Sequence, residues 1–181
     1  MKKFELTDEF VTNVFGHKLF RIKALVAFGD VEKGELGGFI EKEDNLSHDD
    51  NAWVYGNAQV SGNAWVSGNA QVSGNAQVFG DARVSGNARV FDNARVSGNA
   101  QVFDNADYAV VAGFGRYFRT TTFFRCKDKI LRVQCGCFYG ELAQFREIVK
   151  KTHGDRKYAK EYLAIADLME LHFSDECGGE Q

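Results

Sequence analysis

The sequence predicts a mainly β protein whose centre is a β-solenoid of triangular cross-section. Residues 51–107 repeat nearly the same six residues, and each hexad places an alanine two residues before a valine. A spacing of two puts both side chains on one side of an extended strand. The Gly-Asn or Asp-Asn that usually follows forms turns that accept positive φ. Each hexad is therefore a short strand and a corner. The valines stand at 54, 60, 66, 72, 78, 84, 90, 96 and 102, and the alanines continue to Ala106.

Other arrangements do not use this period. An α-helix repeats every 3.6 residues, and a Gly-Asn pair in each hexad would interrupt it. A meander of hairpins needs longer strands and would not keep every alanine and valine on one face. Three hexads per coil instead stack residues that are 18 apart in the chain, so that corner amides bond in ladders. The asparagines concerned are at 51, 57, 63, 69, 75, 87, 93, 99 and 105.

The repeat resembles the left-handed parallel β-helix of hexapeptide-repeat proteins, whose unit has an aliphatic residue with a small residue two before it. Ahead of it, LGGFIEKEDNLSHDDNAWVYGNA resembles the lead-in of bacterial and prophage hexapeptide-repeat proteins of the YdcK-like kind, whose function is unknown. This resemblance implies an N-terminal β cap, residues 1–50, that closes the open end of the solenoid against edge-to-edge pairing.

The chain from 108 to 181 predicts a small α+β module of ββαα order. RTTTFFRCKDKILRVQCGCF indicates two strands around a Lys-Asp-Lys turn, and apolar residues at helical spacing follow on both sides of a His-Gly-Asp turn. CGCFYGELAQFREIVKKTHGD resembles the tail of phage-encoded repeat proteins, which implies a phage or prophage origin. The residues expected to face inward are Leu131, Val133, Cys135, Cys137, Leu142, Phe145, Val149, Tyr158, Tyr162, Ile165, Leu168, Met169 and Phe173.

The charge is unevenly spread although the net charge is only −3. Residues 1–50 hold 7 basic and 11 acidic side chains, whereas 108–137 holds six basic ones against Asp128 alone. No apolar run approaches the ~20 residues that cross a bilayer, and the opening MKKFELTDEF has no apolar signal-peptide core. We therefore expect a protein of the bacterial host cytoplasm that makes no membrane contact and keeps its four cysteines reduced.

The sequence contains few candidates for catalytic or metal-ligating residues. Many hexapeptide-repeat proteins are acyltransferases with a catalytic histidine, but here no histidine lies between 49 and 152. His48, before the first coil, would act as a base only if another chain completed the site. Zinc prefers closely paired cysteines, and Cys126, Cys135 and Cys137 lack that spacing, with Cys177 or His153 needed as a fourth ligand. We expect no enzyme activity, no cofactor and no metal.

Two sets of side chains are candidates for binding on the solenoid. Six aromatic residues are expected to point outward, and such apolar patches mark contacts. Three arginines fall on successive hexads and would project from three different faces. Both sets predict a homo-oligomer, formed by three-fold packing or by end-on stacking. The residues are Trp53, Tyr55, Trp65, Phe79, Phe91 and Phe103, with Arg83, Arg89 and Arg95.

A third candidate is the basic, aromatic stretch 112–134. Cations for phosphates and rings for stacking are the ingredients of single-stranded nucleic-acid binding. Strand alternation offers a plainer interpretation, in which Phe124 faces the core and Arg125 faces water. The basic residues are Arg116, Arg119, Arg125, Lys127, Lys129 and Arg132, and the rings are Phe114, Tyr117, Phe118, Phe123 and Phe124.

These observations favour a non-enzymatic phage or prophage accessory protein. In this hypothesis an oligomeric β-solenoid scaffold binds a bacterial host protein, and inhibition of a host defence system is one version of it. Repeated copies of the module on a rigid body would raise affinity by avidity. Single-stranded nucleic-acid binding through 112–134 and hexapeptide-type acyl transfer are the alternatives.

Overall fold

The computed structural model describes residues 2–104 and 107–174 and has three consecutive parts. The first contains β1 (Phe4–Thr12), β2 (Lys18–Ala24), β3 (Leu36–Ile40) and a 3₁₀ turn (Glu43–Asn45). The solenoid contains β4 (Trp53–Val54), β5 (Gln59–Val60), β6 (Trp65–Val66), β7 (Gln71–Val72), β8 (Gln77–Val78), β9 (Arg83–Val84), β10 (Arg89–Val90), β11 (Arg95–Val96) and β12 (Gln101–Val102). The last part contains β13 (Tyr108–Val111), β14 (Thr121–Arg125), β15 (Leu131–Cys135), β16 (Phe138–Glu141), α1 (Leu142–His153) and α2 (Lys157–His172).

The solenoid confirms the predicted stacking of residues 18 apart. Gln59 pairs in parallel with Gln77, and Gln77 with Arg95. The other two faces are the ladders β4-β7-β10 and β6-β9-β12. The alanines and valines of all nine strand-forming hexads are at most 1% exposed, so they fill the interior as predicted. Ala106 and Asn105 lie outside the described residues.

Corner amides bond from coil to coil as expected. Asn51 Nδ2 donates to Asn69 Oδ1 (3.1 Å), and Asn69 Nδ2 donates to Asn87 Oδ1 (3.2 Å). Similar bonds join Asn75 to Asn93 (3.4 Å) and Asn63 to the carboxylate of Asp81 (3.1 Å). Because Asn69 both accepts and donates along the axis, this corner bonds three successive coils to one another.

The corner glycines leave no room for a side chain. Gly74 has φ of 68°, and a Cβ there would lie 3.0 Å from the backbone N and O of Asp92 in the next coil. We expect Gly74→Ala to lower the free energy of unfolding by more than the about 1–2 kcal/mol that a left-handed residue costs. Chemical denaturation would measure this. Gly16→Ala is the control, because Gly16 has φ of 83° but nothing within 4 Å. Equal losses at the two sites would contradict the crowding argument.

The N-terminal cap continues the solenoid before the first repeat. Strands β1, β2 and β3 form an antiparallel meander, and β3 then pairs in parallel with β5 at Phe39 and Gln59. Leu46 makes a further parallel bridge to Val66. The cap thus covers the edges where the first coil would otherwise be open, as the resemblance implied.

Trp53 lies beneath this cap. The expectation that it points outward is wrong, because its side chain is 0% exposed. Its ring meets those of Phe4 (6.3 Å) and Phe28 (5.4 Å) edge-on. Gly37 lies directly against the indole, where a Cβ would come 2.8 Å from Trp53 Cζ2. The first coil therefore buries an aromatic residue on the face that later coils leave open to solvent.

Two buried polar residues bond the cap to the first coil. Lys3, 3% exposed, directs its Nζ at the carbonyl oxygens of Asp49, Asp50 and Ala52, at 2.9–3.3 Å. Burial lowers its pKa to about 8. Asn45 is fully buried and donates to the carbonyl oxygens of Gly62 and Ala64. Backbone oxygens that the coil leaves unpaired thus gain donors.

The C-terminal module is a four-stranded antiparallel sheet, β13-β14-β15-β16, with two helices on one face. The sequence predicted only the two central strands. The other two are short: β13 begins directly after the solenoid, and β16 begins after the Cys-Gly-Cys turn. Cys137 lies in that turn and is exposed, and Leu168 is 57% exposed, so both inward predictions are wrong. The α1 helix begins where Gln144 Oε1 accepts the Glu141 N–H (2.9 Å) and ends at Gly154 with φ of 58°.

The sheet of this module covers the far end of the solenoid. Phe123 and Phe124 are both fully buried, the first against the helices and the second in the solenoid core. The module contacts all three solenoid faces. Examples are Tyr108 Oη to the Arg89 carbonyl oxygen, the Arg95 N–H to Thr122 Oγ1, and the bridge between Ala100 and Cys126.

Within 2–104 and 107–174, neither helix has the length and apolar character needed to cross a membrane.

Candidate binding cleft in the C-terminal module

The aromatic residues of the solenoid do not form one patch. Trp65 (41% exposed) and Phe103 (49%) share one face, whereas Phe91 (47%) stands on another. Tyr55 is half-buried against the core, and half-buried Phe79 is met by Phe15 from the β1–β2 hairpin at 6.2 Å. Each solenoid face therefore presents only a small apolar surface.

The three solenoid arginines project from three faces, as their spacing predicts. Arg83 lies over the Trp65 ring (5.9 Å), and Arg95 lies over the Phe79 ring (5.5 Å). The carbonyl oxygen of Arg89 accepts the Tyr108 hydroxyl. Two of the three guanidinium groups thus cover aromatic rings of their own coil stack, which accounts for their position without a ligand.

The basic strand is not a stacking surface. Phe123 and Phe124 are buried, and Arg125, expected to face water, is half-buried and donates to the Phe173 carbonyl oxygen at 2.8 Å. Arg132 forms a bidentate salt bridge with Asp128, with N–O distances of 2.6 and 2.7 Å. This contact lowers the pKa of Asp128 to about 2. Lys127 and Lys129, in the turn between β14 and β15, are exposed.

The remaining basic residues border a cleft on the other side of the module. The loop 112–120, between β13 and β14, folds towards α1 and α2 and encloses a space of about 200 Å³. Most of its walls are apolar or aromatic. They are formed by Arg116, Tyr117, Arg119, Cys135, Cys137, Phe138, Phe145, Ile148, Val149, Thr152, His153 and Tyr162.

Two hydrogen bonds to side chains of α2 hold the loop in place. The Gly115 N–H donates to the Glu161 carboxylate at 2.9 Å, and the Tyr162 hydroxyl donates to the Phe114 carbonyl oxygen at 3.4 Å. Gly115 has φ of 73°, and a Cβ there would collide with the phenol of Tyr162. The loop thus rests on the helix with its backbone, so that the cleft exists without a ligand.

The charge around the cleft is positive. Arg116 and Arg119 lie at 5.3 and 5.0 Å from the centre of the Tyr117 ring, and neither forms an ion pair with any residue that the structure describes. The cleft therefore combines apolar walls with two arginines at its edge.

The cysteines divide between the two sides of the sheet. Cys126 belongs to the solenoid core, whereas Cys135 and Cys137 line the cleft. Thr121 Oγ1 donates to Cys135 Sγ at 3.2 Å. The three thiols therefore do not share one site, and no group of metal-ligating side chains assembles within the described ranges. Cys177 lies outside them.

Comparison with known families concerns the solenoid alone. Residues 58–74, 70–86, 76–90 and 88–104 match the family model of the YdcK β-solenoid repeat. Residues 58–104 are therefore similar to YdcK β-solenoid repeats. The match covers about a quarter of the chain and contains none of the residues that line the cleft. No curated protein matches the chain.

Sequence reasoning found part of the cleft. Arg116 and Arg119 were candidates for binding, whereas Ile148 was not, since nothing in the hexad repeat or in strand alternation brings it to this loop. An available signal was the helical pattern of α1, which leaves Ile148 outside the row formed by Phe145 and Val149. Its 39% exposure beside the cleft follows from that position.

The buried phenol of Tyr162 makes the module sensitive to alkaline pH. Burial raises its pKa from 10.0 to about 12. Between those pH values the folded chain keeps this proton and the unfolded chain loses it, so the free energy of unfolding falls as pH rises. We expect Tyr162→Phe to reduce this fall, measured by urea denaturation below pH 10 and between pH 10 and 12. Thr152→Val, which removes a cleft hydroxyl but no titratable group, should leave the slope unchanged. If the free energy of unfolding of Tyr162→Phe fell with pH as steeply as that of the unsubstituted chain, Tyr162 would not be the group responsible.

Proposed function

We propose that this protein is a non-enzymatic binding protein, in which the YdcK solenoid is a rigid spacer and the C-terminal module carries the site for a partner protein. The observation that supports this most is the cleft beneath loop 112–120. It joins apolar walls to two arginines that have no ion-pair partner among the described residues. Apolar depressions with arginine and aromatic residues at their edge are typical of protein interfaces.

The solenoid has the properties of a spacer. Its interior is filled by alanine and valine, and its faces carry ladders of backbone and amide hydrogen bonds. His48, the base candidate at the first coil, is engaged by the cap, since its Nδ1 accepts the Lys3 N–H (3.2 Å) and its ring stacks on Phe4 (4.2 Å). This engagement favours a structural role for His48 over acyl transfer.

The partner in this proposal is a bacterial host protein, and the chain is an accessory protein of a phage or prophage. The resemblance of the tail CGCFYGELAQFREIVKKTHGD motivates this origin. Inhibition of a host defence system is one form the binding would take. Self-association, if it occurs, would use a lateral face such as that of Trp65 and Phe103, because the cap and the module cover the solenoid ends.

A pull-down from bacterial lysate tests the proposal. Tagged chain is incubated with nuclease-treated and untreated lysate, and a recovered protein is purified and titrated against the chain by calorimetry. Direct, saturable binding that Ile148→Asp weakens by at least about tenfold would support the proposal. Trp65→Asp, at a comparably exposed solenoid residue, is the matched control. A purified candidate that does not bind, or an empty bait in both arms, would refute it.

Single-stranded nucleic acid is a second candidate because of one observation. Loop 112–120 exposes Phe114 (44%), Tyr117 (61%) and Phe118 (73%) beside Arg116 and Arg119. Such an arrangement offers stacking and phosphate contacts. Two results together would favour this function over protein binding. The pull-down would recover proteins only from the lysate without nuclease, and the affinity of the chain for oligonucleotides would fall steeply with salt concentration.

A further inference from the structure

We infer that the cleft under loop 112–120 takes an acidic peptide segment of the partner, with one aromatic or large aliphatic side chain inserted between Tyr117 and α1. This inference rests on the proposed function and specifies its site. Four features of the cleft support it: its size, the position of its charges, the packing of its aromatic rings and the fixed shape of its loop.

The size of the cleft fits one side chain. Its volume of about 200 Å³ lies below the about 300–1,000 Å³ of pockets that enclose drug-sized ligands and cofactors. Phe145 and Val149 form a buried apolar floor, 2% and 4% exposed. Ile148 and Tyr117 stand at the edge and are 39% and 61% exposed. An inserted ring or branched chain would cover both the floor and these edges.

The charges at the rim call for carboxylates. Arg116 and Arg119 line the cleft from loop 112–120, and both lie close to the Tyr117 ring. Contact with a ring gives their N–H groups no carboxylate acceptor, and neither arginine forms an ion pair within 2–104 or 107–174. Guanidinium groups bind carboxylates with two parallel hydrogen bonds. Acidic residues flanking the anchor would supply these acceptors.

The aromatic rings favour a peptide over bases. Stacking of a base needs an open ring face. In the cleft, both arginines already approach the Tyr117 ring, and Phe145 and Tyr162 are buried edge-on against each other, with centroids 5.8 Å apart. The cleft is thus a hole with apolar walls and not a flat platform. The open rings of Phe114 and Phe118 lie outside its lining.

The shape of the loop is set before binding. Glu161 holds the Gly115 N–H, and Tyr162 holds the Phe114 carbonyl oxygen. The side chain of Arg119 lies against Gly136, where a Cβ would come 2.6 Å from its Nη1. A loop fixed at both ends loses little entropy on binding, so a short segment with one anchor suffices.

The test uses the full chain and fluorescein-labelled synthetic peptides in anisotropy titrations. The probe peptide alternates aspartate and glycine around one central phenylalanine. One control peptide has serine in place of phenylalanine, and another has lysine in place of each aspartate. We expect each control to bind at least about tenfold more weakly than the probe. No saturation with the probe, or equal affinity for the serine control, would overturn the inference.

Variants locate the site. Arg116→Glu with Arg119→Glu should abolish probe binding. Lys127→Glu with Lys129→Glu makes the same charge change on the opposite turn of the module and should leave it unchanged, and thermal unfolding confirms that both variants are folded. An equal loss of probe binding in the arginine and lysine variants would show that binding depends on overall charge and not on this cleft, which would overturn the inference. Tighter binding of oligothymidylate that is lost in the arginine variant would assign the cleft to nucleic acid instead. The arginine variant is also titrated with the purified host protein. If this variant no longer binds the probe peptide but still binds the host protein, the inference fails while the proposed function stands.

Discussion

Trp53→Ala is expected to lower the free energy of unfolding by about 3–5 kcal/mol, the range for deleting a buried aromatic side chain. The indole is 0% exposed and is enclosed by Phe4, Phe28 and Gly37. Its removal leaves a cavity where the cap meets the first coil. Chemical denaturation followed by circular dichroism would measure the loss.

Trp65→Ala is the matched control. Trp65 occupies the same place in its hexad, but it is 41% exposed and Arg83 lies over its ring at 5.9 Å. We expect this substitution to cost no more than about 1 kcal/mol. Losses of similar size at Trp53 and Trp65 would show that the cap does not bury the first coil as the structure describes.

Phe123→Ala and Phe124→Ala should each cost about 3–5 kcal/mol, but in different parts of the molecule. Phe123 packs edge-on to Phe145 of α1 at 6.1 Å, whereas Phe124 belongs to the solenoid core. Amide hydrogen exchange would separate the two effects. Phe123→Ala should speed exchange in α1 and α2, and Phe124→Ala should speed it in β10 to β12 at the end of the solenoid.

This pair tests whether the module is the C-terminal cap of the solenoid. If Phe124→Ala left exchange in β10 to β12 unchanged, the contacts of Tyr108, Thr122 and Cys126 would have to hold that end by themselves. If both variants accelerated exchange everywhere, the chain would unfold as one cooperative unit, and the separate effects predicted here would be wrong.

The solenoid was predictable in detail, and the cleft only in part. Inward valines, the pairing of residues 18 apart and the corner amides all follow from short-range rules applied to a repeat. Arg116 and Arg119 were correctly singled out as basic residues beside aromatic ones. Their neighbours Cys137, Ile148 and His153 come from a turn and a helix whose packing depends on the whole module.

The sequence by itself determined the coil, because each hexad pairs with the hexads 18 residues before and after it and packs against others in the core, and all of these are nearly identical to it. Only the tertiary structure decided what happens at the two ends. There the neighbours are the cap and the module, which lie far from the coil in sequence and do not repeat. For that reason Trp53 is buried while Trp65 is exposed, and Phe124 faces the solenoid while Phe123 faces the helices. The cleft follows from the same fact, because its walls form only when loop 112–120 settles on α2.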